Sequence, residues 1–232
     1  MSNSKGYFIA IDGCDASGKS SAIAHVKDFF VNKKGMKESD IVMTREPGGT
    51  PVGEKLRELL LTPVEEGQAD LDIKTELLMM YASRNQLINE VIQPALSEGK
   101  VVITDRWESS SFAYQTNRGA DPEEVMTLSQ MVCSETKPDM LIFLDVEPEV
   151  SLERIARTRD NKMDRTETTD KEMYYRIRDA YQDYASRVDN VIQIDANQDL
   201  EDMLEDINQE LSKNTKDIKK HVKKDNSTSL SI

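Results

Sequence analysis

The chain has 232 residues, 38% of them hydrophobic, and a formal net charge of −13. This length predicts one soluble domain with a sizeable core, and no apolar run approaches the roughly 20 residues that a membrane-spanning helix needs. The negative charge excludes a broad nucleic-acid-binding surface, because such surfaces neutralise many phosphates with Lys and Arg, so an anionic ligand must be bound locally.

The first predicted element is a strand over residues 7–11, and the loop after it carries the clearest motif in the chain. Two glycines with four residues between them are followed by Lys and a hydroxyl residue; the loop consists of Gly13, Cys14, Asp15, Ala16, Ser17, Gly18, Lys19 and Ser20. The glycines let backbone N–H groups converge on a phosphate, and the next helix begins there and adds partial positive charge. The loop therefore predicts ATP binding.

Three side chains of this loop have further predicted roles. Lys19 supplies a point charge to the β and γ phosphates, and Ser20 supplies a ligand for Mg²⁺. Cys14 lies among the backbone donors, where it either senses oxidants or is an inert spacer.

The remaining chain alternates short apolar stretches with helical patterns. Strands are predicted over residues 41–44, 101–104, 140–145 and 191–194, and helices over 20–30, 52–61, 72–97, 110–115, 122–133, 148–157, 171–188 and 200–211. Five short strands that alternate with helices predict a three-layer α/β fold, in which a parallel sheet is covered on both faces.

The longest helical pattern begins after a capping Asp72, and Pro94 is expected to kink or interrupt it. Its core stripe is predicted to contain Leu77, Leu78, Tyr81, Ile88, Val91 and Ile92. Residues 41–44 are predicted to form a buried strand.

The two ends of the chain differ in character. Residues 1–6 lack the apolar core of a secretory signal, and two cysteines provide no disulfide framework, so we expect a cytoplasmic protein. Residues 213–232 hold six lysines and two aspartates, which favours a basic, solvated and disordered tail over a nucleic-acid-binding arm. We expect one domain over residues 1–212.

Cationic side chains collect where predicted strands end. Arg45 and the pair Asp105 and Arg106 follow two strands, and an arginine-rich run follows a third, with Arg154, Arg157, Arg159 and Arg165. So many arginines suggest two phosphorylated ligands that meet, because phosphoryl transfer needs positioning and charge neutralisation. A phosphate acceptor is already ionised and needs no general base, so His25 and His221 are interpreted as structural or solvated.

Five motifs in register resemble those of the bacterial-type thymidylate kinases, from Tyr7 to about Leu211. Besides the loop they are residues 44–50 (TREPGGT) with 54–57 (EKLR), 76–84 (ELLMMYASR), 105–106 (DR) with 109–115 (SSSFAYQ), and 144–149 with 164–167. The resemblance implies the phosphate-loop nucleoside monophosphate kinase fold with strand order 2-3-1-4-5. It also implies ATP and Mg²⁺ as co-substrate, dTMP to dTDP as the reaction, and a homodimer.

The resemblance also implies roles for side chains around the acceptor nucleotide. Arg45 and Arg106 would hold its phosphate, with Asp105 beside them, although Arg106 has the alternative of an ion pair with Asp105. Arg84 would donate to the O4 carbonyl of thymine and oppose the amino group of cytosine; its alternative is a surface arginine. Met80 lies one turn before Arg84, on the same helix face.

Four more residues complete the implied acceptor site. Ser111 would face the base edge, and Tyr114 and Gln115 would occupy the space of a ribose 2′-hydroxyl, although Tyr114 has the alternative of simple core packing. Asp15 would interact with the acceptor sugar and the metal shell.

The resemblance implies a lid over residues 158–170, whose arginines reach the transferring phosphates on closure. Because Ala16 leaves the phosphate loop without an arginine, the lid must supply one, and we expect Arg157 and Arg159 to do so. Together with Lys19, Asp15 and Arg106 they form the predicted catalytic set.

Two departures from the family pattern keep alternatives open. Met80 stands where the family usually has a stacking Phe, which leaves dUMP or a 5-substituted dUMP as an alternative acceptor. Trp107 replaces the commoner Tyr or His and is expected to pack. A second alternative is a phosphate-loop switch that binds nucleotide without transferring phosphate to a small molecule.

Overall fold

The computed structural model describes residues 6–63, 69–158, 170–216 and 218. Within these ranges five strands form one parallel sheet: β1 (Tyr7–Gly13), β2 (Ile41–Arg45), β3 (Val101–Asp105), β4 (Met140–Asp145) and β5 (Val191–Asp195). Their order is β2-β3-β1-β4-β5, which confirms the expected topology. The predicted lid and basic tail fall largely outside the described residues.

Helices connect the strands as the sequence pattern predicts. They are α1 (Lys19–Asp28), α2 (Pro51–Leu61), α3 (Ile73–Leu87), α4 (Gln93–Ser97), α5 (Glu108–Asn117), α6 (Pro122–Cys133), α7 (Pro148–Thr158), α8 (Lys171–Arg187) and α9 (Leu200–Asn214). Short π-helical turns at Phe29–Lys33 and Ile88–Ile92 extend α1 and α3, and a 3₁₀ turn at Glu38–Asp40 precedes β2. No helix in the described ranges has the length and apolar character that crossing a bilayer demands.

The core lies on both faces of the sheet. Side chains alternate along β1, so Phe8 and Ala10 pack on one face and Ile9 and Ile11 on the other, and all four are fully buried. The first face is covered by α3 and the second by α1 and α9. Because both faces of the central strand are covered, its sequence is continuously apolar from Tyr7 to Ile11, as expected for a parallel sheet.

Two predictions of burial were wrong. Strand β2 is at the edge of the sheet and has only β3 as a neighbour, so Met43 is 46% exposed. Leu78 is 52% exposed, because it follows Leu77 by about 100° around α3 and only Leu77 can face the sheet. The predicted interruption at Pro94 is confirmed, since the π-helical turn lies directly before it and α4 begins anew.

The register brings three chain segments to one edge of the sheet. Asp105 at the end of β3 pairs with Ile11 of β1 on one side and with Arg45 of β2 on the other. The segments that follow these strands therefore begin next to each other, at the carboxyl edge where ligands bind in open α/β sheets.

Candidate active site

A cavity of about 810 Å³ lies at this edge of the sheet. The phosphate loop forms one wall, and residues of α3, of α5 and of the segments after β2 and β3 form the opposite wall, which we call the acceptor wall. The volume is in the range of small-molecule sites. The predicted phosphate loop and most predicted acceptor residues thus face a common space.

The phosphate loop has the backbone that its glycines predict. Gly13 has a φ of 148°, and a Cβ atom there would lie 2.7 Å from the carbonyl oxygen of Leu144. Gly18 caps α1 with a φ of 95° and without a side-chain cap, so the first amides of the helix remain available to a ligand.

The ammonium of Lys19 is held against the loop itself. Its Nζ donates to the carbonyl oxygens of Gly13 at 3.0 Å and Cys14 at 2.8 Å. Burial lowers the pKa of this ammonium, and the positive charge of Arg106 acts in the same direction. An anionic ligand in the cavity would therefore be attracted by a partly desolvated cation. Ser20 is exposed and lines the same cavity.

Cys14 is buried in the loop, and burial raises the pKa of its thiol to about 12. Since the thiolate is the reactive form, its population at neutral pH is very small. Of the two interpretations of Cys14, the structure favours the inert spacer.

Arg106 links the phosphate loop to the acceptor wall. Its Nη2 forms an ion pair with Asp15 at 2.7 Å, its Nη1 donates to Ser110 Oγ at 3.0 Å, and its guanidinium lies 5.1 Å from the centroid of the Tyr114 ring. The backbone at Arg106 is left-handed, with a φ of 71°. Such strain in a non-glycine residue typically costs about 1–3 kcal/mol and is common at functional sites.

The alternative ion pair between Arg106 and Asp105 does not form in the described structure. Oδ1 of Asp105 is instead buried without a hydrogen-bond partner, and the residue lines the cavity.

Arg84 is at the centre of the acceptor wall and is only 2% exposed, so its alternative as a surface arginine is wrong. Its Nε pairs with Glu46 Oε2 at 2.6 Å, and its Nη2 donates to Ser111 Oγ at 3.0 Å. Its guanidinium also lies 4.7 Å from the ring centroid of Tyr81 and 5.5 Å from that of Trp107. Burial raises the pKa of Glu46 to about 7, against the opposing effect of Arg84.

The other predicted acceptor residues also line the cavity. Met80 is half-buried there, and Gln115 is held by a hydrogen bond from its Nε2 to Glu76 Oε1 at 3.0 Å. Tyr114 faces the cavity while its ring packs edge-on against Tyr181, with centroids 6.3 Å apart. Its two interpretations, ligand contact and core packing, are therefore compatible. The predicted packing of Trp107 is confirmed by its fully buried ring against Phe8.

Several cavity residues carry a buried polar atom that has no hydrogen-bond partner within the described part of the chain. They are Glu46 Oε1, Arg84 Nη1, Asp105 Oδ1, Trp107 Nε1, Tyr114 Oη and Gln115 Oε1. Buried polar groups in folded proteins are normally paired. Unsatisfied donors and acceptors around one cavity indicate a polar ligand that completes them.

Two predicted site residues lie elsewhere in this structure. Arg45 is half-exposed and pairs with Glu54 at 2.8 Å on the surface, and Arg157 is 72% exposed and pairs with Glu153 at 2.5 Å. Arg57 and Arg154 line the cavity in their place, donating to the carbonyl oxygens of Pro47 at 2.9 Å and Ala16 at 3.3 Å. Arg159 and Arg165 lie outside the described residues.

Sequence reasoning missed Asp12, Glu46 and Arg57 as parts of the site. Asp12 is a fully buried carboxylate that accepts hydrogen bonds from α5 and α8. A signal was available, because an acidic residue at the end of an apolar strand must find several donors if it is to be buried.

Comparisons with known proteins agree with this geometry. A family model described as thymidylate kinase matches residues 11–207. The thymidylate kinase of Neisseria meningitidis serogroup B is 41% identical over 201 residues, which cover 86% of this chain and 93% of that protein. That of Colwellia psychrerythraea is 42% identical over 196 residues, 84% of this chain and 89% of that protein.

A solved structure gives the same result at the level of the fold. The crystal structure of thymidylate kinase from Ehrlichia chaffeensis aligns with a TM-score of 0.68 and 28% identity, over 89% of this chain and 99% of that one. Together with the phosphate loop and the buried arginine of the acceptor wall, these matches show that the chain belongs to the thymidylate kinase family.

Proposed function

We propose that this enzyme transfers the γ-phosphate of ATP to dTMP and forms dTDP. The observation that supports this best is the shared cavity, in which Lys19 and the helix-capping loop face a buried, ion-paired Arg84 across a space of small-molecule size. One wall is suited to a triphosphate and the other to a pyrimidine. A phosphate-loop switch has no use for the second wall.

Transfer itself needs positioning and charge neutralisation. An oxygen of the dTMP phosphate attacks the γ-phosphorus, and the bond from that phosphorus to the β–γ bridging oxygen breaks, so that ADP leaves with the electron pair. We propose that Lys19 and the amides of residues 13–18 hold the ATP phosphates while Arg106 holds the acceptor phosphate. Asp15 orients Arg106 through their 2.7 Å ion pair and faces the acceptor sugar. Fixed charges of this kind stabilise a transition state without reorganisation.

Mg²⁺ fits the oxygen donors at this end of the cavity. Ser20, Asp105 and Asp15 all line the cavity, and Oδ1 of Asp105 has no hydrogen-bond partner within the described residues. No cluster of three His, Cys, Asp or Glu forms a metal cage in the described ranges, but Mg²⁺ in nucleotide sites is usually held by few protein oxygens together with phosphates. We propose Ser20 as the direct ligand, with Asp15 or Asp105 acting through water. The ion would neutralise phosphate charge.

Base selection is assigned to the buried arginine. Nη1 of Arg84 is a donor without a partner in the described structure, and it suits the O4 carbonyl of thymine or uracil. The amino group of cytosine would leave donor against donor, which is strongly unfavourable in a dry pocket. Tyr114 and Gln115 line the same cavity and are proposed to exclude a ribose 2′-hydroxyl.

Arg45, Arg157 and Arg159 remain proposed phosphate contacts. Arg45 and Arg157 would have to leave their surface ion pairs with Glu54 and Glu153 to reach the phosphates, and Arg159 lies outside the described residues. The kcat of an alanine variant at each position, compared with that of Arg154→Ala, identifies which arginine contacts the transferring phosphates. We expect Arg154→Ala to lower kcat at least tenfold, because Arg154 already lines the cavity.

We also propose a cytoplasmic homodimer. Both cysteines are buried and free, which suits a reducing compartment. Helices α2 and α3 pack on each other, and each leaves one leucine exposed, Leu59 on α2 and Leu78 on α3, which suits a contact with a second copy.

The proposed reaction is tested by turnover of dTMP, dUMP, dCMP and UMP with ATP and Mg²⁺, followed by ADP release. We expect dTMP to have the highest kcat/KM and dCMP and UMP the lowest. A clear preference for dUMP over dTMP would contradict the choice of acceptor. ADP release that is unaffected by any monophosphate would instead support a switch.

A further inference from the structure

We propose that Asp12 is a positioning residue that fixes α5, and with it the acceptor wall, against the phosphate loop. Asp12 is the second-last residue of β1 and lies directly before the loop, where it is fully buried. The inference rests on the proposed function, because it concerns how the dTMP side of that site is held.

The carboxylate of Asp12 is surrounded by donors from two other elements. Its Oδ2 accepts from the backbone N–H groups of Trp107 at 3.0 Å and Ser110 at 3.2 Å, and from the hydroxyl of Ser109. Its Oδ1 accepts from Ser110 Oγ at 2.6 Å and from the hydroxyl of Tyr181, on α8, at 2.9 Å. One side chain of the central strand thus binds the start of α5 and the middle of α8.

These contacts replace a missing helix cap. Trp107 precedes α5 and has no side chain that caps the helix. A helix normally satisfies its third amide with the side chain of its own capping residue. Here Ser110, the third residue of α5, donates its N–H to a carboxylate from β1 instead. The negative charge also interacts favourably with the helix dipole.

The donors around Asp12 match a carboxylate rather than an amide. A carboxylate only accepts hydrogen bonds and offers about four lone-pair sites, which matches the converging donors. Asparagine has nearly the same shape but would point an NH₂ group at N–H and O–H donors. Arg106 Nη1, at 4.0 Å from Oδ1, would also lose a neighbouring negative charge.

The position of α5 matters because this helix carries the acceptor wall. Ser111, Tyr114 and Gln115 are on α5, and Arg106 comes just before it. A displacement of about 1 Å at a reacting group can lower the rate about 100-fold. Asp12 Oδ1 also accepts from the N–H of Gly13, the first residue of the phosphate loop, at 3.2 Å. Lys19 is on α1 and the later amides of the loop lie at the start of that helix, so ATP binding depends less on Asp12 than dTMP binding does.

Asp12→Asn tests this, with Asp145→Asn as a matched control. Asp145 is the buried carboxylate at the end of β4, the neighbouring strand, and it accepts from Arg178 Nε at 2.6 Å and Gln193 Nε2 at 2.8 Å. None of the hydrogen bonds found for it in the described chain comes from α5. Both substitutions therefore put an amide in place of a buried carboxylate. Only Asp12→Asn removes hydrogen bonds that hold α5, and with it the acceptor wall, in place.

The readouts are the KM values for dTMP and ATP, kcat, and the emission of Trp107, which is the only tryptophan in the chain. We expect Asp12→Asn to raise the KM for dTMP about tenfold and to lower kcat, while the KM for ATP changes by less than about threefold. In the absence of ligand, the emission of Trp107 should shift to longer wavelength. The reason is that the backbone N–H of Trp107 loses its hydrogen bond to the Asp12 carboxylate, so water can approach this residue. Asp145→Asn should leave the KM for dTMP and the emission unchanged.

The proposal is overturned if Asp12→Asn changes both KM values equally or neither, or if Asp145→Asn gives the same pattern. If Asp12→Asn does not fold, Ser109→Ala carries the test, since it removes one donor and leaves the carboxylate. A rise of about threefold in the KM for dTMP alone would support the proposal, and no change would overturn it. Wild-type protein that does not phosphorylate dTMP refutes the proposed function instead, and the emission comparison still tests the cap.

Discussion

The phosphate loop and the acceptor wall face each other across one cavity but are built by different means. The loop is a run of eight consecutive residues, and it offers backbone amides and one ammonium, shaped by glycines with left-handed φ angles. The acceptor wall is assembled from buried side chains of separate elements, with Glu46 after β2, Arg84 on α3 and Ser111 on α5.

This difference implies different responses to substitution. A side chain at the loop surface can be removed without leaving a buried charge, so the transfer rate should change more than stability. In the acceptor wall each charged group compensates another in a place without water, so removal should affect both ligand binding and stability. Four substitutions test this contrast, in order of decreasing effect.

Lys19→Ala has the largest expected effect and concerns the loop alone. Removal of a preorganised charge at a developing phosphate anion typically lowers kcat by about 10²- to 10³-fold. The free energy of unfolding and the affinity for dTMP, measured by Trp107 emission, should stay close to wild type. Lys27→Ala is the matched control, because Lys27 is on the same helix and pairs with Glu38 at 3.0 Å away from the cavity. Near-full activity of Lys19→Ala would remove the loop from the catalytic site.

Arg84→Ala has the next effect and concerns the acceptor wall. We expect the KM for dTMP to rise roughly 10- to 100-fold, while the KM for ATP stays unchanged. The free energy of unfolding should fall by about 3 kcal/mol, because Glu46 remains as an unpaired buried acid.

The double variant Glu46→Gln with Arg84→Met is the control for that loss of stability. It replaces the ion pair by neutral groups of similar size and should recover much of the stability without recovering dTMP binding. If Arg84→Ala loses no stability in urea unfolding, the pair does not hold the wall together and the contrast with the loop fails.

The phosphate loop and the acceptor wall also differ in how much of each the sequence predicts. The phosphate loop and the helices were predicted from the residues, because the loop signal is contiguous and the periodicity of helices and strands is local. The strand order came from the family resemblance, since local periodicity does not determine which strands are neighbours, and the structure confirms it. The partner of Arg84 was not predicted, because Glu46 is 38 positions away in sequence. The role of Asp12 was missed for the same reason, since Ser110 is 98 positions away.

Arg45 and Glu46 show that a motif does not by itself determine which of its side chains faces the cavity. They are consecutive residues at the end of an extended strand, where side chains alternate between the two faces. Glu46 is buried in the cavity wall, so Arg45 points to the surface and pairs with Glu54. The motif identifies the segment, and the alternation of side chains along the strand determines which of its residues faces the cavity.

A smaller effect is expected from pH. The pKa of Glu46 is raised to about 7 by burial, and Arg84, Asp12 and Glu108 face it from α3, β1 and α5. Between pH 8 and pH 6 such a group goes from mostly ionised to mostly protonated, and its hold on Arg84 weakens as the ion pair is lost. Thymidine affinity should therefore fall by about tenfold over this range, if binding needs the ionised form. Thymidine is the probe because it has no phosphate that titrates here.

Glu46→Gln should flatten this pH profile, since its amide does not titrate. A profile of the same slope in both proteins would show that the pH dependence does not come from Glu46.

The smallest expected effect is at Met80, where the acceptor wall departs from the family pattern. Met80 lines the cavity one helical turn before Arg84, and a thioether gives less flat contact with a base than a phenyl ring. Met80→Phe should lower the KM for dTMP by about 2- to 10-fold, as expected for one added aromatic contact, and leave kcat and the KM for ATP unchanged. Met80→Leu is the control for volume without stacking. Because both dTMP and dUMP present a flat ring, Met80→Phe should improve both equally. A gain confined to dUMP would mean that Met80 makes room for the 5-methyl group of dTMP, so that residue 80 selects the substituent as well as holding the ring.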